Sequence, residues 1–258
     1  MKVLSIGDVV GSIGCNFLRE QLAGLRKAHG IDLVIANGEN SADGNGITPF
    51  SADYLFKSGV DVITAGNHSF RRREIFKTFG SEPRLIRPAN YPSRSTPGSG
   101  VYTLDVNKNK VVIINLMGTI FMENLDCPFK TADRILANAG SDAIVIVDFH
   151  AEATSEKRAL GFYLDGRISA LFGTHTHVPT ADECILPRGT GYITDVGMAG
   201  VIDSALGVRV DQVIRKIKTK MPVRFENATG KCKVDCIIFD IDESTKKTQS
   251  VNRLTIAG

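Results

Sequence analysis

Several absences narrow the class of this 258-residue sequence. No apolar run approaches the ~20 residues that a membrane-spanning helix requires. The residues after Met1 lead directly into a strand-like pattern, without the apolar core and cleavage site of a signal peptide. The five cysteines are odd in number and scattered, as is typical of reduced thiols. We therefore expect a cytoplasmic protein that does not contact membranes.

Charge and composition exclude two further classes. A net charge of +3 is too small for a dedicated nucleic-acid binder, although it suits a small anionic substrate. There is neither an internal repeat nor a low-complexity tract, and 43% of the residues are apolar, which is enough for a sizeable core. A homo-oligomer is compatible with these features, but nothing in the sequence specifies one.

Strand-like and helix-like stretches alternate early in the chain, and strand-like stretches follow one another late. Buried strands are predicted at residues 2–6, 32–36, 60–64, 143–149 and 168–172. Helices are predicted at residues 16–27, 131–139, 156–163 and 210–220, with another one starting at Thr48-Pro49. A hairpin is predicted at residues 101–116 and three strands at 223–256. We expect a single α/β domain over residues 1–258, with two packed mixed β-sheets flanked by helices.

Histidine is scarce but unusually placed. Four of the five histidines come just after apolar strand-like runs, namely His68, His150, His175 and His177. His175 and His177 are two positions apart at a predicted strand end, so their rings are expected on the same side, where they can bind a metal ion. A pair of surface histidines in a loop is the competing interpretation of such a short motif.

Other predicted strands also end in side chains that bind metals. Together with the two histidines they form a set of candidates, which are Asp8, Glu39, Asn40, Asn67, His68, His150, His175 and His177. Carboxylate, amide and imidazole groups suit Mn, Fe or Zn, and the absence of cysteine argues against a structural zinc site. The set is large enough for two metal ions that share a carboxylate, an arrangement that hydrolyses phosphoryl esters.

Each candidate also has an ordinary interpretation. Asp8 or Asn67 alone would be a turn residue, and His150 alone would be a hydrogen-bonded core histidine. All of these interpretations would have to hold at once, at strand ends on the same edge of a sheet. A metal centre is therefore favoured.

Short motifs at these strand ends resemble the calcineurin-like metallophosphoesterase superfamily. They are Gly7-Asp8, Gly66-Asn67-His68 and Gly173-Thr174-His175-Thr176-His177. Longer motifs at residues 37–40, 148–157 and 194–198 are similar to its YmdB-type bacterial branch, and the similarity runs through the whole chain. The resemblance implies a four-layer α-β-β-α sandwich and a cytoplasmic phosphodiesterase for small cyclic nucleotides such as 2′,3′-cyclic AMP.

The resemblance also implies a ligand set for two divalent ions, with iron first and manganese next. One ion would be held by Asp8, Glu39, Asn40 and His177. The other would be held by Glu39, Asn67, His150 and His175, with Glu39 bridging the two. No other cofactor is implied.

His68 would be the general acid that protonates the leaving alkoxide after attack by a metal-activated hydroxide. Orientation of Asn67 or of another ligand is the alternative role for His68. The run Arg71 to Arg73 could bind phosphate or be a solvated helix start.

Two departures from the wider superfamily match the branch. Val10 stands where the superfamily has a histidine, and Glu39 stands where it usually has a bridging aspartate. Phosphomonoesterase or nuclease activity in the same site is an alternative function, as is a regulatory metal-binding protein with weak catalysis. A nuclease would need a long basic groove, and the sequence offers only Arg71 to Arg73 and scattered lysines.

Overall fold

A computed structural model describes residues 1–92 and 95–258. The strands are β1 (Lys2–Ile6), β2 (Asp8–Val9), β3 (Leu33–Asn37), β4 (Val62–Thr64), β5 (Leu85–Ile86), β6 (Val101–Val106), β7 (Asn109–Met117), β8 (Ile144–His150), β9 (Ala170–Thr174), β10 (Cys184–Ile185), β11 (Gly191–Ile193), β12 (Met198–Val201), β13 (Cys232–Ile241) and β14 (Thr248–Ala257). The helices are α1 (Gly11–His29), α2 (Pro49–Lys57), α3 (Ile75–Ser81), α4 (Pro128–Ala139), α5 (Thr154–Leu164) and α6 (Val210–Thr219). In the described residues, no helix has the length and apolar character needed to cross a bilayer.

The strands form two mixed sheets that pack face to face. The first has the order β2-β12-β13-β1-β3-β4-β5, with β14 also paired to β13, and the second has the order β10-β11-β9-β8-β7-β6. Apolar side chains such as Ile35, Val62, Ile113 and Ile146 fill the space between them. Each such side chain contributes about 1.5–3 kcal/mol by leaving water, so the two sheets are held together firmly.

Helices cover the outer faces of both sheets. Residues of α1 and α2 pack on the first sheet, and residues of α4 and α5 pack on the second. The result is the predicted four-layer α-β-β-α sandwich. The predicted start of α2 is also confirmed, because the Thr48 hydroxyl accepts a hydrogen bond from the Ser51 amide at 3.1 Å.

Strand register brings the carboxyl ends of the central strands to one edge. In the first sheet Asn37 lies opposite Thr64, and in the second His150 lies opposite Thr174. The two edges touch across the sandwich, since the Thr64 hydroxyl and the Asn37 amide both donate to the Asp148 carboxylate. The polar residues that follow these strands therefore share one region of space.

The prediction of three strands in residues 223–256 is wrong. This stretch, which the structure describes in full, forms only β13 and β14, and residues 223–231 follow an irregular path. That segment pairs with another loop instead of a sheet, because the Arg209 amide donates to the Glu226 carbonyl and the Ala228 amide donates to the Gly207 carbonyl. Directly after β1, the short strand β2 pairs with β12.

Candidate metal centre

Asp8, Asn40 and His177 form one group of donors at the shared edge. The buried Asp8 Oδ1 lies 3.5 Å from His177 Nε2, and that nitrogen lies 3.4 Å from Asn40 Nδ2. Asp8 Oδ1 has no hydrogen-bond partner within the part of the chain that the structure describes. A buried carboxylate oxygen without a partner is costly, so this atom is suited to bind a cation.

Glu39, Asn67, His150 and His175 form a second group. His150 Nε2 lies 2.9 Å from Asn67 Oδ1, 3.1 Å from His175 Nδ1 and 3.4 Å from Glu39 Oε1. Ligand atoms of Glu39, His150 and His175 all lie within 4.8 Å of one another. This spacing allows a single ion to contact all three residues.

Glu39 connects the two groups. Its side chain is only 1% exposed, and its Oε1 accepts a hydrogen bond from Asn40 Nδ2 at 3.0 Å while facing His150. Gly66 makes this close approach possible. A side chain at Gly66 would place its Cβ 2.3 Å from His150 Nε2 and 2.4 Å from Glu39 Oε2, which no real contact allows.

The three histidines of these groups direct their other ring nitrogens toward polar partners on the side away from the metal-facing atoms. The partners are the Leu206 carbonyl for His177 at 3.1 Å, the Glu152 carboxylate for His175 at 3.1 Å and the Thr174 hydroxyl for His150 at 2.9 Å. The Thr174 hydroxyl donates in turn to Asp148. Metal-ligating histidines are usually oriented in this way, because the outer hydrogen bond leaves the inner nitrogen unprotonated.

His175 and His177 do not converge by strand alternation, so that part of the prediction is wrong. Strand β9 ends at Thr174, and both histidines have left-handed backbone angles, with φ of 103° and 62°. This conformation is rare for residues other than glycine. It separates the two rings, so that His175 meets His150 while His177 meets Asp8.

A buried ion pair supports this strained loop. Lys157 Nζ donates to the Asp195 carboxylate at 2.7 Å and to the Thr174 carbonyl at 2.8 Å. The Asp195 carboxylate also accepts from the Thr176 amide at 3.1 Å. Both side chains are buried, and both belong to the motifs at residues 148–157 and 194–198. The pair therefore fixes the segment between the two histidines.

We expect Asp195→Asn to lower the free energy of unfolding by about 3–5 kcal/mol, because it leaves the Lys157 ammonium buried without a counter-charge. Denaturant unfolding measures this change. Adding Lys157→Met to the same chain should recover part of the loss, since no unpaired charge remains. Asp211→Asn is the control, because Asp211 pairs with Arg209 at the surface and should matter little. Equal effects of the two aspartate variants would contradict the role of the buried pair.

His68 lies beside both groups. Its Nδ1 is 2.8 Å from Asn40 Oδ1 and 3.1 Å from Glu39 Oε1, and its backbone amide donates to Glu39 Oε2 at 2.9 Å. Two acceptors at Nδ1 keep a proton on that nitrogen, so Nε2 is the atom free to exchange a proton with a ligand. The residue directly after His68 is Ser69, and Asn40 supplies the orienting contact.

Opposite charges compensate one another inside the cluster. Burial acts to raise the pKa of the Asp8 carboxyl, but His177 holds it below its usual value. The pKa of Glu39 is likewise held well below its usual value by His150 and His68, against the effect of burial. Burial acts to lower the pKa of His150, yet the charge of Glu39 raises it to about 9. Both carboxylates are therefore anionic, and a divalent cation can take the place of the histidine protons.

The eight predicted site residues lie within this one cluster, although they differ in what they contact. Sequence reasoning missed Glu152, Lys157 and Asp195, which hold ligand-bearing residues in place. The long motifs at residues 148–157 and 194–198 contain all three residues and could have pointed to them.

The Asn40 amide is placed with its nitrogen toward His177 and its oxygen toward His68.

The two-sheet sandwich with such a donor cluster at its edge is the metallophosphoesterase fold. The structure of a novel phosphatase from Mycoplasma pneumoniae superposes with a TM-score of 0.95 at 35% identity, covering 100% of this chain and 93% of that chain. The crystal structure of a hypothetical protein from Thermus thermophilus gives a TM-score of 0.94 at 41% identity, covering 100% of this chain and 99% of that chain. The fold and the Glu39, His150 and His175 cluster together imply bound divalent metal ions.

Within this class, the chain belongs to the YmdB-like family, whose model matches residues 4–254. The 2′,3′-cyclic-nucleotide 2′-phosphodiesterase of Bacillus subtilis strain 168 is 47% identical over 257 residues, which is 99% of this chain and 97% of that protein. The predicted membership of the YmdB-type branch is confirmed.

Proposed function

We propose that the protein is a metal-dependent phosphodiesterase that hydrolyses small 2′,3′-cyclic nucleotides. The observation that carries this proposal is the position of Glu39, which lies between two donor groups with His68 beside it. The Bacillus subtilis relative named for this activity supports the substrate class.

Two divalent ions fit the two donor groups, with iron first and manganese next, since these metals accept oxygen and nitrogen ligands together. The ligands of the first ion would be Asp8, Glu39, Asn40 and His177. The ligands of the second would be Glu39, Asn67, His150 and His175. As a ligand, Asn40 would turn its amide oxygen from His68 toward His177, and Glu39 Oε1 would remain as the acceptor beside His68 Nδ1. When bound, the ions supply a water nucleophile of lowered pKa and neutralise phosphate charge.

His68 is the residue that moves the proton. Its Nδ1 faces Glu39 Oε1 at 3.1 Å, so Nε2 donates to the oxygen that leaves the phosphorus. The negative phosphate of the substrate favours the protonated ring, which the donation requires. The side chain is 27% exposed, so solvent can return the proton after each turnover.

A cytoplasmic location suits this function. All five cysteines are free thiols, which persist in a reducing compartment. The substrate would be a small cyclic nucleotide, and a homo-oligomer stays a prediction without a structural argument.

The substrate class can be tested with the metal-loaded enzyme on three substrates, which are 2′,3′-cyclic AMP, 3′,5′-cyclic AMP and 4-nitrophenyl phosphate. We expect the highest kcat/KM on 2′,3′-cyclic AMP and removal of the activity by a chelator. A higher kcat/KM on the monoester would contradict the proposal and favour a phosphomonoesterase.

A further inference from the structure

A cavity of about 770 Å³ lies next to the candidate metal centre. Three segments form most of its wall, and they are residues 43–45, 71–72 and 223–229. We call it the Arg71 cavity. Its volume is in the range of sites that bind small ligands, which is about 300–1,000 Å³.

Two segments of the cavity wall are connected to residues of the metal centre. The Arg71 amide donates to the His68 carbonyl at 3.0 Å, and Asp43 follows Asn40 by three positions. Three residues span at most about 10 Å, so the cavity lies within reach of a ligand bound at the centre. A third connection runs from Asn40 through Gly11, whose amide donates to the Asn40 carbonyl at 2.8 Å, to the lining residue Ser12.

Two guanidinium groups in the Arg71 cavity are available to a ligand. Arg71 and Arg224 are exposed, and neither guanidinium has a hydrogen bond or ion pair with any described residue. The two carboxylates of the wall are already engaged. Asp43 accepts hydrogen bonds from Ser12 and Asn227.

The second carboxylate, Glu226, pairs with Arg209 at 3.1 Å and accepts from Gln212 at 2.9 Å. With both acids occupied, an anion entering the cavity meets two available guanidinium groups. Guanidinium groups bind phosphate through paired, charge-assisted hydrogen bonds.

The three arginines after His68 therefore have different roles. Arg72 donates to the backbone carbonyls of Asp43 at 2.6 Å and Asn45 at 3.0 Å, so it holds one wall in place. Arg73 does not line the cavity. Within this run, Arg71 is the residue whose guanidinium group can bind a ligand in the cavity. The run ends just before helix α3, which begins at Ile75.

An aromatic side chain completes the lining. Phe225 lines the cavity and is 41% exposed, so its ring is accessible to a ligand. An accessible aromatic face beside arginine is a common surface for stacking a nucleobase. The lining thus combines features that suit a nucleotide rather than an isolated inorganic ion.

We propose that the Arg71 cavity binds a second phosphate, carried on the 5′ oxygen of the cyclic nucleotide whose 2′,3′-cyclic phosphate lies at the metal centre. The inference rests on the proposed function. A nucleoside 2′,3′-cyclic phosphate is already anionic at the reacting end, and its 5′ oxygen is the ordinary place for another phosphate. The second phosphate is either a terminal 5′-phosphate or the diester that joins the last nucleotide of an RNA strand to the one before it.

Equilibrium binding to the metal-loaded enzyme tests the proposal without requiring turnover. Calorimetry compares the binding of three probes. They are adenosine 3′-monophosphate, adenosine 3′,5′-bisphosphate and the dinucleotide ApA carrying a 3′-phosphate. We expect the bisphosphate to bind roughly 10- to 100-fold more tightly than the monophosphate, as expected for added charge-assisted hydrogen bonds. Arg71→Ala and Arg224→Ala should each reduce that ratio, while the control Arg73→Ala should keep it.

The dinucleotide distinguishes the two sources of the second phosphate. Tight binding of both the bisphosphate and the dinucleotide supports RNA 3′ ends as ligands, and tight binding of the bisphosphate alone supports mononucleotides. Equal affinities for all three probes, or a preference that survives both Arg71→Ala and Arg224→Ala, would overturn the proposal. Failure of the proposed function is a separate result, because it appears as an absence of turnover on cyclic nucleotides.

Discussion

Glu39→Gln is expected to remove bound metal and phosphodiesterase activity together. The change preserves the shape of the side chain but removes the negative charge that lies between the two donor groups. Bound ions supply several kcal/mol of transition-state stabilisation, so we expect a loss in kcat/KM on the order of 10³-fold or more. Elemental analysis and steady-state kinetics on the same preparation measure both quantities.

The control for this variant is Glu74→Gln, which removes the same charge from an exposed residue outside the cluster. It should retain the metal content and activity of the unmodified protein. Thermal unfolding of Glu39→Gln separates loss of metal from loss of the fold, since a folded protein without metal still unfolds cooperatively. Full metal content in folded Glu39→Gln would show that Glu39 does not bridge.

His68→Ala is expected to keep its metal while kcat falls about 10²- to 10⁴-fold, the usual value of general acid–base catalysis. The metal should stay because His68 directs Nδ1 at Asn40 and Glu39 and leaves Nε2 outside the donor groups. The defect should depend on the leaving group. The 4-nitrophenolate ion leaves without protonation, so hydrolysis of a 4-nitrophenyl ester should be impaired far less than hydrolysis of 2′,3′-cyclic AMP.

The pH profile gives a second readout for His68. A general acid is required in its protonated form, so the unmodified enzyme should lose activity toward high pH. His68→Ala should lack this limb of the profile. An equal defect on both substrates with an unchanged pH profile would indicate that His68 only positions its neighbours.

Much of the fold was predictable because its signals are local. Buried parallel strands appear as continuous apolar runs, and β3 and β8 are of this kind. The polar residues that follow such runs must meet at one edge, so the sequence alone is enough to place Glu39 and His150 together. The strand predicted at residues 223–227 does not form. Its alternating pattern suggested a strand, but the segment pairs with a loop instead of a sheet.

The rest of the site depends on contacts between distant parts of the chain. The left-handed angles of His175 and His177 are maintained by Lys157 and Asp195, which stand far apart in sequence. The different roles of neighbouring arginines have the same origin. The Arg72 guanidinium donates hydrogen bonds to the 43–45 segment and the Arg71 guanidinium donates none there, and no property of the run itself distinguishes the two residues.

We propose that two metal ions on the Glu39 cluster support phosphodiester hydrolysis. The most direct measurement is a titration of metal-free protein with ferrous or manganous ions under anaerobic conditions, with 2′,3′-cyclic AMP turnover recorded at each addition. We expect activity to rise until two ions are bound per chain and then to stay constant. Full activity at one ion per chain, or turnover by the metal-free protein, would contradict it.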